Sequence, residues 1–434
     1  MPFETSGPAT KRIAVIGAGI SGMGAAWMLS QDHRVVLFEA EPRLGGHART
    51  LIAGKRGDQP VDTGFIVFNY SNYPHLVRMF EDLDVPIAKS DMSFGASIDG
   101  GWLEYGLRDL KAVFAQTRNV ARPAFLRMMR DVVRFNARGL EVAATDPDMT
   151  IGTFLERLGT GDWFREHYLL PLSGAIWSTP TQKILDFPAH AMMRFFENHA
   201  LLSHTGQHQW YTVQGGSREY VSRLAARLVQ QGVDIRTGAP IAGVRRTAAG
   251  AEVRAEGAEW DGFDEVVFAT HSDVSLRLLS DATGPERTAL SAVGYQPNEV
   301  ILHADTSIMP KRQAVWSSWN YTEARGQRKD RIDLTYWMNS LQPIPKDDPL
   351  FVTLNTTRPI REDLIHDVAT FHHPVYTLEA LAAQDTIRAM NGANSTWFCG
   401  AWMKNGFHED GLASAVDVVE AMRKRDLPVA MAAE

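Results

Sequence analysis

The 434-residue sequence contains a single cysteine, Cys399, so no disulfide can close within one chain. That usage suits a reducing compartment and a cytoplasmic protein. The thiol lies in an apolar run, where plain packing is its ordinary role. Long hydrophobic runs are also missing. The longest apolar stretch, Ile13 to Leu29, is interrupted by Gly17, Gly19, Gly22 and Gly24 and contains a turn, which excludes a membrane span. The opening MPFETSGPATKR is polar and has no apolar signal core. Positive charge is not in excess. A net charge of −7 and a pI near 6.1 give no basic field to attract nucleic acid. Repeats, low-complexity tracts and metal-ligand spacings are absent. Any contact with a membrane must be made from its side.

What is present is enough apolar material for a large core. With 44% hydrophobic residues over this length, two domains are expected.

The run RIAVIGAGISGMGAAWMLSQDHRVVLFEA reads as strand, glycine turn, helix and second strand. Ile13 to Ile16 suit a parallel strand buried on both faces. Gly17, Gly19 and Gly22 follow in GxGxxG spacing. The first allows the tight turn, the second lets backbone approach a pyrophosphate, and the third lets helix and strand pack closely. Ile20 and Ser21 open the helix, whose N–H groups and positive dipole end face the phosphates. Glu39, followed by Ala40, ends the second strand at the distance where a carboxylate accepts from ribose hydroxyls. A lone GxGxxG is weak evidence. Here strand, helix and acid are all in place, and they indicate a dinucleotide.

The next residues, EAEPRLGGHART, resemble the Glu-x3-Arg-x-Gly-Gly-Arg run of the flavoprotein amine oxidase and phytoene desaturase superfamily. There the paired glycines and the arginine lie along the FAD diphosphate. The resemblance implies FAD as cofactor, with Gly45 and Gly46 in those places. His47 stands at the usual final arginine, and Arg49 follows two residues on. Three sources of the phosphate contact stay open: Arg43, Arg49, or backbone alone. The resemblance also places Thr63 and Gly64 beside the cofactor.

A second glycine-marked stretch, FCGAWMKNGFHEDGLASAV, closes the chain. It reads as a strand ending at Gly400, a loop, and a helix from about Leu412. In the superfamily such a late strand returns to the first domain, and the helix after it points at the flavin pyrimidine edge. Its dipole and free N–H groups would stabilise reduced-flavin charge. The resemblance therefore sets Gly400 and Ala401 by the ribityl chain, and Asp410, Gly411 and Leu412 by the ring. Asp410 is also a reasonable N-cap. The stretch GVDIRTGAPIAGVRR reads as a strand pair with Val244 near the adenine. DEVVFATHSD reads as a strand ending at Ala269 and Thr270.

The expected fold is α/β. A Rossmann-type FAD domain is assembled from residues 1–95, 206–295 and 390–434. An α+β substrate domain comes from residues 96–205 and 296–389, with a helical lobe over residues 107–204. Strands are expected at residues 298–304, 331–338 and 350–354.

Residues 107–140 hold eight Lys or Arg and two Asp, a local +6 on an acidic protein. Arg127, Arg130, Arg134 and Arg138 step by three, four and four, which makes one stripe on a helix near residues 124–138. Phe125, Leu126, Met128, Met129, Val132, Val133 and Phe135 are expected on the other side. Such a helix can lie on anionic lipid, or be an ordinary amphipathic surface helix.

The middle blocks are apolar and aromatic. Tyr168, Trp177, Trp210 and Trp337 are candidates for a substrate channel, as are Tyr211, Trp316, Trp319 and Tyr336. Core packing is the plainer account of any one of them. Amine oxidases of the superfamily usually carry a lysine near flavin N5, and NEVILHA, the strand that matches, has none.

DTGFIVFNYSNYPHL, SDMSF, PLSGAIWSTP, VQGGSREYV and GFHEDGLASA resemble one bacterial branch of the superfamily, encoded beside methyltransferases similar to cyclopropane fatty acid synthase. This implies a membrane phospholipid acyl chain as substrate, on the route to furan fatty acids. It implies a peripheral protein on the inner face of the membrane, possible partnership with the methyltransferase, and dioxygen as a candidate electron acceptor. His408 is the favoured base, since it lies in the flavin stretch and titrates near neutrality. His47 and Asn69 are lesser candidates. The alternatives are a flavin amine or amino-acid oxidase on a soluble substrate, and a non-catalytic lipid-binding protein on the same fold.

Overall fold

The structure, a computed structural model, describes residues 10–177, 184–198, 201–202, 208–325 and 332–426. The first nine and last eight residues, and residues 178–180 of PLSGAIWSTP, therefore lie outside the described residues.

A five-stranded parallel sheet carries the dinucleotide motif. Its order is Asp234–Arg236, Arg34–Phe38, Arg12–Ile16, Glu265–Phe268 and Thr396–Phe398. Ile13, Ala14 and Val15 are fully buried in its centre, because helices cover both faces of such a sheet. The last strand joins from residues near the end of the chain, in register Phe268 to Phe398. Helix Ile20–Leu29 leaves the first strand and packs against helix His408–Asp426, which leaves the last. The contact is close because Gly24 has no side chain. A Cβ there would overlap Leu412 Cδ1.

The expected strand pair in GVDIRTGAPIAGVRR does form two strands, but they do not pair. Asp234–Arg236 runs parallel to Arg34–Phe38, whereas Ile241–Thr247 joins an antiparallel sheet with Gly250–Ala255 and Asp261–Phe263. The Gly238–Ala239–Pro240 link separates them into different sheets, which local pattern does not reveal.

A seven-stranded sheet forms the second layer, in the order Ile365–Val375, Gly294–His303, Phe351–Leu354, Leu334–Trp337, Trp319–Thr322, Phe94–Ile98 and Leu103–Gly106. The long outer strand Ile365–Val375 and the pair Phe94–Ile98 and Leu103–Gly106 go beyond the strands read from sequence. Phe94–Ile98 straddles the boundary expected at residue 95, and Gly294–His303 straddles that at residue 295.

The lobe over this sheet is helical, with Pro123–Ala143, Ile151–Leu158, Leu170–Trp177 and Ala189–Asn198 as its main members. Phe125, Met128, Phe135, Phe154, Phe164 and Phe196 fill its interior. Helix Pro123–Ala143 divides its apolar residues differently from the expectation. Phe125, Met128, Val132 and Phe135 are buried, but Leu126 and Val133 stand on the outer face, 45% and 57% exposed, among Arg127, Arg130 and Arg138. Arg134 is half-buried, and its guanidinium donates to the Gly159 carbonyl at 2.5 Å. The stripe is thus three outward arginines interleaved with apolar residues.

Candidate cofactor and active site

The three glycines of the turn do different work. A Cβ on Gly17 would come within 2.9 Å of the Ala269 carbonyl oxygen, and one on Gly22 would overlap the Gly17 carbonyl. Those two glycines permit packing of strand, helix and neighbouring loop. Gly19 faces open space, with nothing within 4 Å of a Cβ placed there. It caps helix Ile20–Leu29 without any side-chain hydrogen bond. The N–H groups of the first helical turn therefore aim into a slot, which is the arrangement that binds phosphate. Ile20 and Ser21 are buried behind that opening. Glu39 is fixed at the slot's edge, accepting from Ala18 N–H at 2.7 Å and Glu41 N–H at 2.9 Å, and Ala40 is exposed beside it.

The paired glycines lie along this opening. Gly45 N–H donates to Ala18 O at 2.8 Å, and a Cβ on Gly46 would approach Gly19 Cα to 3.0 Å. Of the three sources left open for the phosphate contact, Arg49 is already engaged. Its guanidinium spans to Asp367 of the outer strand with contacts of 2.7 and 3.2 Å, and also donates to Thr63 Oγ1. Arg43 donates to the Ala48 carbonyl and pairs with Glu41. Thr63 N–H donates to Arg49 O, and Gly64 lies so close to the His47 carbonyl that no Cβ fits. The His47 ring packs on Phe371 at 4.9 Å, with His373 at 5.7 Å and His271 at 5.9 Å.

The late glycine stretch comes back to the same place. A Cβ on Gly411 would lie 2.8 Å from Ile20 Cγ2 and 2.9 Å from Ser21 Oγ, so the two helix starts touch. Gly400 N–H donates to Ser414 Oγ at 2.8 Å, and Ala401 follows it in a short 3-10 turn. The helix begins at His408, one turn before the expected Leu412. Asp410 is consequently not the N-cap. It sits in the first turn and accepts from Phe407 N–H at 2.9 Å, the reach-back half of a capping box. Burial pushes its carboxyl up to about 6. The Leu412 side chain is turned into the helix–helix contact with Gly24.

His408 departs from the role expected of it. Its ring stacks on Phe65, centroids 3.9 Å apart, and its Nε2 lies 2.6 Å from the Tyr220 hydroxyl. Burial keeps the Tyr220 phenol protonated, with its pKa well above the usual value. This imidazole is its hydrogen-bond partner among the described residues, so the phenol donates and Nε2 accepts. Burial also pushes the His408 pKa down to about 3. A neutral, weakly basic imidazole whose Nε2 is occupied is a poor proton acceptor at neutral pH. His408 is better placed to hold Phe65 and the loop before it.

Val244 is fully buried, and its carbonyl already accepts from Ser280 N–H at 2.8 Å. Thr270 lines the first glycine turn, with its methyl near Gly17 and its hydroxyl on Ser275. Asn69 is buried and caps the following turn through Oδ1, which accepts from Ser71 and Asn72 N–H.

The four aromatic candidates are not one channel wall. Tyr168 stacks on Phe164 in the lobe core, and Trp210 packs near Tyr73 in the core beside the parallel sheet. Trp337 sits against Trp316 and Lys346. Trp177 does approach the cofactor region. It packs on Phe195, which stacks on Phe407 at 4.9 Å, next to His408. Phe195 and Phe407 thus join the lobe to the flavin loop, a contact with no signal in the local sequence.

Asp62 is a further site residue that sequence reasoning passed over. It is buried between the two layers and accepts from Ser217 N–H, Ser217 Oγ, Thr50 Oγ1 and Gln342 Nε2. Burial pushes it up to about 6 against those hydrogen bonds. The Asp-Thr-Gly triplet was its available signal. No group of His, Cys, Asp or Glu among the described residues is arranged to hold a metal ion.

A profile of the flavin-containing amine oxidoreductases matches residues 20–349. The chain belongs to this family. Its cofactor is FAD, and the open space before Gly19, the uncapped helix start and the paired glycines fit that group. Among curated proteins it is similar to a probable zeta-carotene desaturase of Synechococcus elongatus, 26% identical over 168 residues, or 36% of this chain and 34% of that one. It is also similar to an L-amino acid oxidase of Cerastes cerastes, 46% identical over 57 residues, 13% and 10% of the two chains. The chain thus matches about a third or less of the length of these relatives. Solved structures share the fold over nearly the whole chain. A putrescine oxidase variant gives a TM-score of 0.70 at 13% identity, covering 96% of this chain and 99% of that one. A fatty acid isomerase from P. acnes gives 0.65 at 15% identity, covering 95% and 98%. The α/β amine-oxidase-like architecture expected from sequence is therefore the one observed.

Proposed function

We propose that the protein is an FAD-dependent dehydrogenase that introduces a double bond into a membrane phospholipid acyl chain, a methylated one on the route to furan fatty acids. The observation that carries this reading is the outer face of helix Pro123–Ala143, where Leu126 and Val133 stand exposed between Arg127, Arg130 and Arg138. Water-facing apolar residues among cations suit a bilayer interface, with cations at the phosphates and apolar groups below them. Exposed Leu110 and Val120, on the short segments just before this helix, extend the apolar character. No helix among the described residues is long and apolar enough to cross a membrane, and a peripheral protein on the inner membrane face needs none.

Support also comes from the interior. Strand Gly294–His303 carries no lysine, unlike the usual amine oxidase arrangement in the sequence family it resembles. The lobe offers Trp177 and Phe195 toward Phe407 of the flavin loop, an apolar wall suited to an alkyl chain. Two similar proteins are named for a carotene and for a fatty acid.

In this reading two hydrogens leave adjacent carbons of the chain, one as hydride to the bound flavin and one as a proton that ends in bulk solvent, and a C=C bond remains. Bound FAD supplies the hydride acceptor at N5. The protein's part is to hold the C–H over the ring, about 3–3.5 Å away, and to exclude water. Dioxygen is the proposed final electron acceptor, and the methyltransferase that supplies the methylated chain is the proposed partner.

The test is anaerobic. Purified protein is mixed with phospholipid vesicles bearing unsaturated, mid-chain-methylated acyl groups, and the visible flavin band is followed. Bleaching with a new double bond in the extracted lipid is the expected result. A flavin that stays oxidised with lipid and bleaches with an amine would overturn the reading in favour of a soluble-substrate oxidase. A colourless protein would point to lipid binding without catalysis.

A further inference from the structure

Beyond the glycine turn, the slot has an unusual neighbour. His47 comes from the paired-glycine run, His271 directly follows Thr270 at the end of a parallel strand, and His373 lies on the outer strand of the second sheet. Three segments far apart in sequence thus place imidazoles around one point, with His47 ring distances of 5.9 Å to His271 and 5.7 Å to His373. That point adjoins the phosphate turn, because Gly46 lies against Gly19.

The hydrogen bonding of the cluster is uneven. Asn298 donates its amide to His373 Nδ1 at 2.7 Å, and the same side chain's oxygen accepts from Asn355, which fixes its orientation. His373 therefore carries its proton on Nε2 and is a donor even when neutral. Among the described residues His47 and His271 make ring contacts, His271 with His47 and Tyr295, but neither makes a side-chain hydrogen bond. Both retain nitrogens able to take a proton and donate it. Without an anion, burial and mutual repulsion hold all three neutral; His47 is well below its usual pKa and His373 is pushed down to about 4.

We propose that His47, His271 and His373 form an anion clamp for the FAD diphosphate, standing in for a fixed arginine, so that retention of the cofactor is coupled to proton uptake by these imidazoles. A diphosphate brought beside neutral imidazoles raises their proton affinity and is in turn held by the charge they gain. An arginine cannot behave this way, since it is always charged. The other titratable and charged groups facing the cluster are Arg43, His408, Asp273 and His372. Asp62 and Asp410 titrate near 6 elsewhere in the cleft, so slope alone does not identify the histidines. The proposal rests on the FAD assignment and not on the acyl substrate.

The experiment follows FAD release from the holoprotein, as the gain in free-flavin fluorescence after dilution into buffers from pH 5.5 to 8.5. Release should accelerate with rising pH, up to about tenfold per unit for each proton lost. The His47→Gln/His271→Gln variant should release FAD quickly, with most of that pH dependence gone. His47→Arg should hold FAD at pH 8 at least as well as at pH 6. Wild-type release that is independent of pH would overturn the proposal, as would a double variant that keeps the wild-type slope. If the double variant retains no flavin, His47→Arg decides. Slow release at pH 8 supports the clamp, and release as fast as in the wild type rejects it. None of these readings changes if the lipid substrate proves wrong.

Discussion

His408 Nε2 accepts a hydrogen bond from the Tyr220 hydroxyl at 2.6 Å, while the same ring stacks on Phe65. The bond joins the last helix to helix Arg218–Gln230. It makes His408 a positioning residue and predicts how its variants behave. His408→Ala should retain FAD and lose turnover by about tenfold or more, with the pH profile of the residual rate unmoved. Tyr220→Phe should reproduce part of that loss. If the acid limb of the rate profile disappears in His408→Ala, the histidine is a proton acceptor after all.

Membrane contact is predicted to depend on the outer face of helix Pro123–Ala143. Replacing Arg127, Arg130 and Arg138 by Glu removes three cations, each worth about 1 kcal/mol near an anionic surface. Binding to vesicles rich in anionic lipid should fall at least 100-fold in a flotation assay, with the flavin spectrum unchanged. Leu126→Ser with Val133→Ser should weaken binding even at high salt, where the charge effect is screened. Undiminished flotation of both variants would remove this face from the lipid reading.

Gly411 has no room for a side chain against Ile20 and Ser21. Gly411→Ala should cost about 1–3 kcal/mol by forcing the two helices apart. The same shift moves both helix starts that border the slot, so flavin content should fall with thermal stability. A fully flavinated Gly411→Ala protein with native stability would show that the contact can relax.

Asp62 gives a pH-dependent prediction. Its folded-state pKa, about 6, lies above the ordinary aspartate value of 3.8, so the folded protein binds the proton more tightly than the unfolded chain. Its burial costs nothing extra below pH 4, and the penalty grows to about 3 kcal/mol as pH rises through 6. Buried His303, His373 and His408 act in the opposite sense, since their pKa values lie below 6.5 and protonation favours unfolding. Overall stability should therefore fall on acidification below about pH 6.5. The difference in melting temperature between Asp62→Asn and wild type should shift toward wild type as pH goes from 7 to 5. A constant difference would mean that Asp62 stays ionised in the folded protein down to pH 5, so that burial has not raised its pKa.

Much of the architecture was already legible along the chain. The apolar run Ile13–Ile16, the spacing of Gly17, Gly19 and Gly22, and Glu39 twenty residues past Gly19 form a local unit, and local units leave periodic signals. The late strand and its glycines were readable for the same reason. The tertiary structure decided what each element meets. It separated Asp234–Arg236 from Ile241–Thr247, placed the long edge strand Ile365–Val375, and put Leu126 and Val133 in solvent while burying Val132. Those outcomes depend on which surfaces remain free once sheets and lobe have packed, and sequence period cannot express that. Chemistry divided along the same line. The sequence alone marked the residues that approach a dinucleotide backbone, because backbone approach requires glycine. It favoured His408 as a base from residue type and location, whereas the Tyr220 hydroxyl, 188 positions away in sequence, assigns it a different role. The cluster of His47, His271 and His373 exists only through the fold, since proton affinity is set by burial and neighbours in space, not by neighbours along the chain.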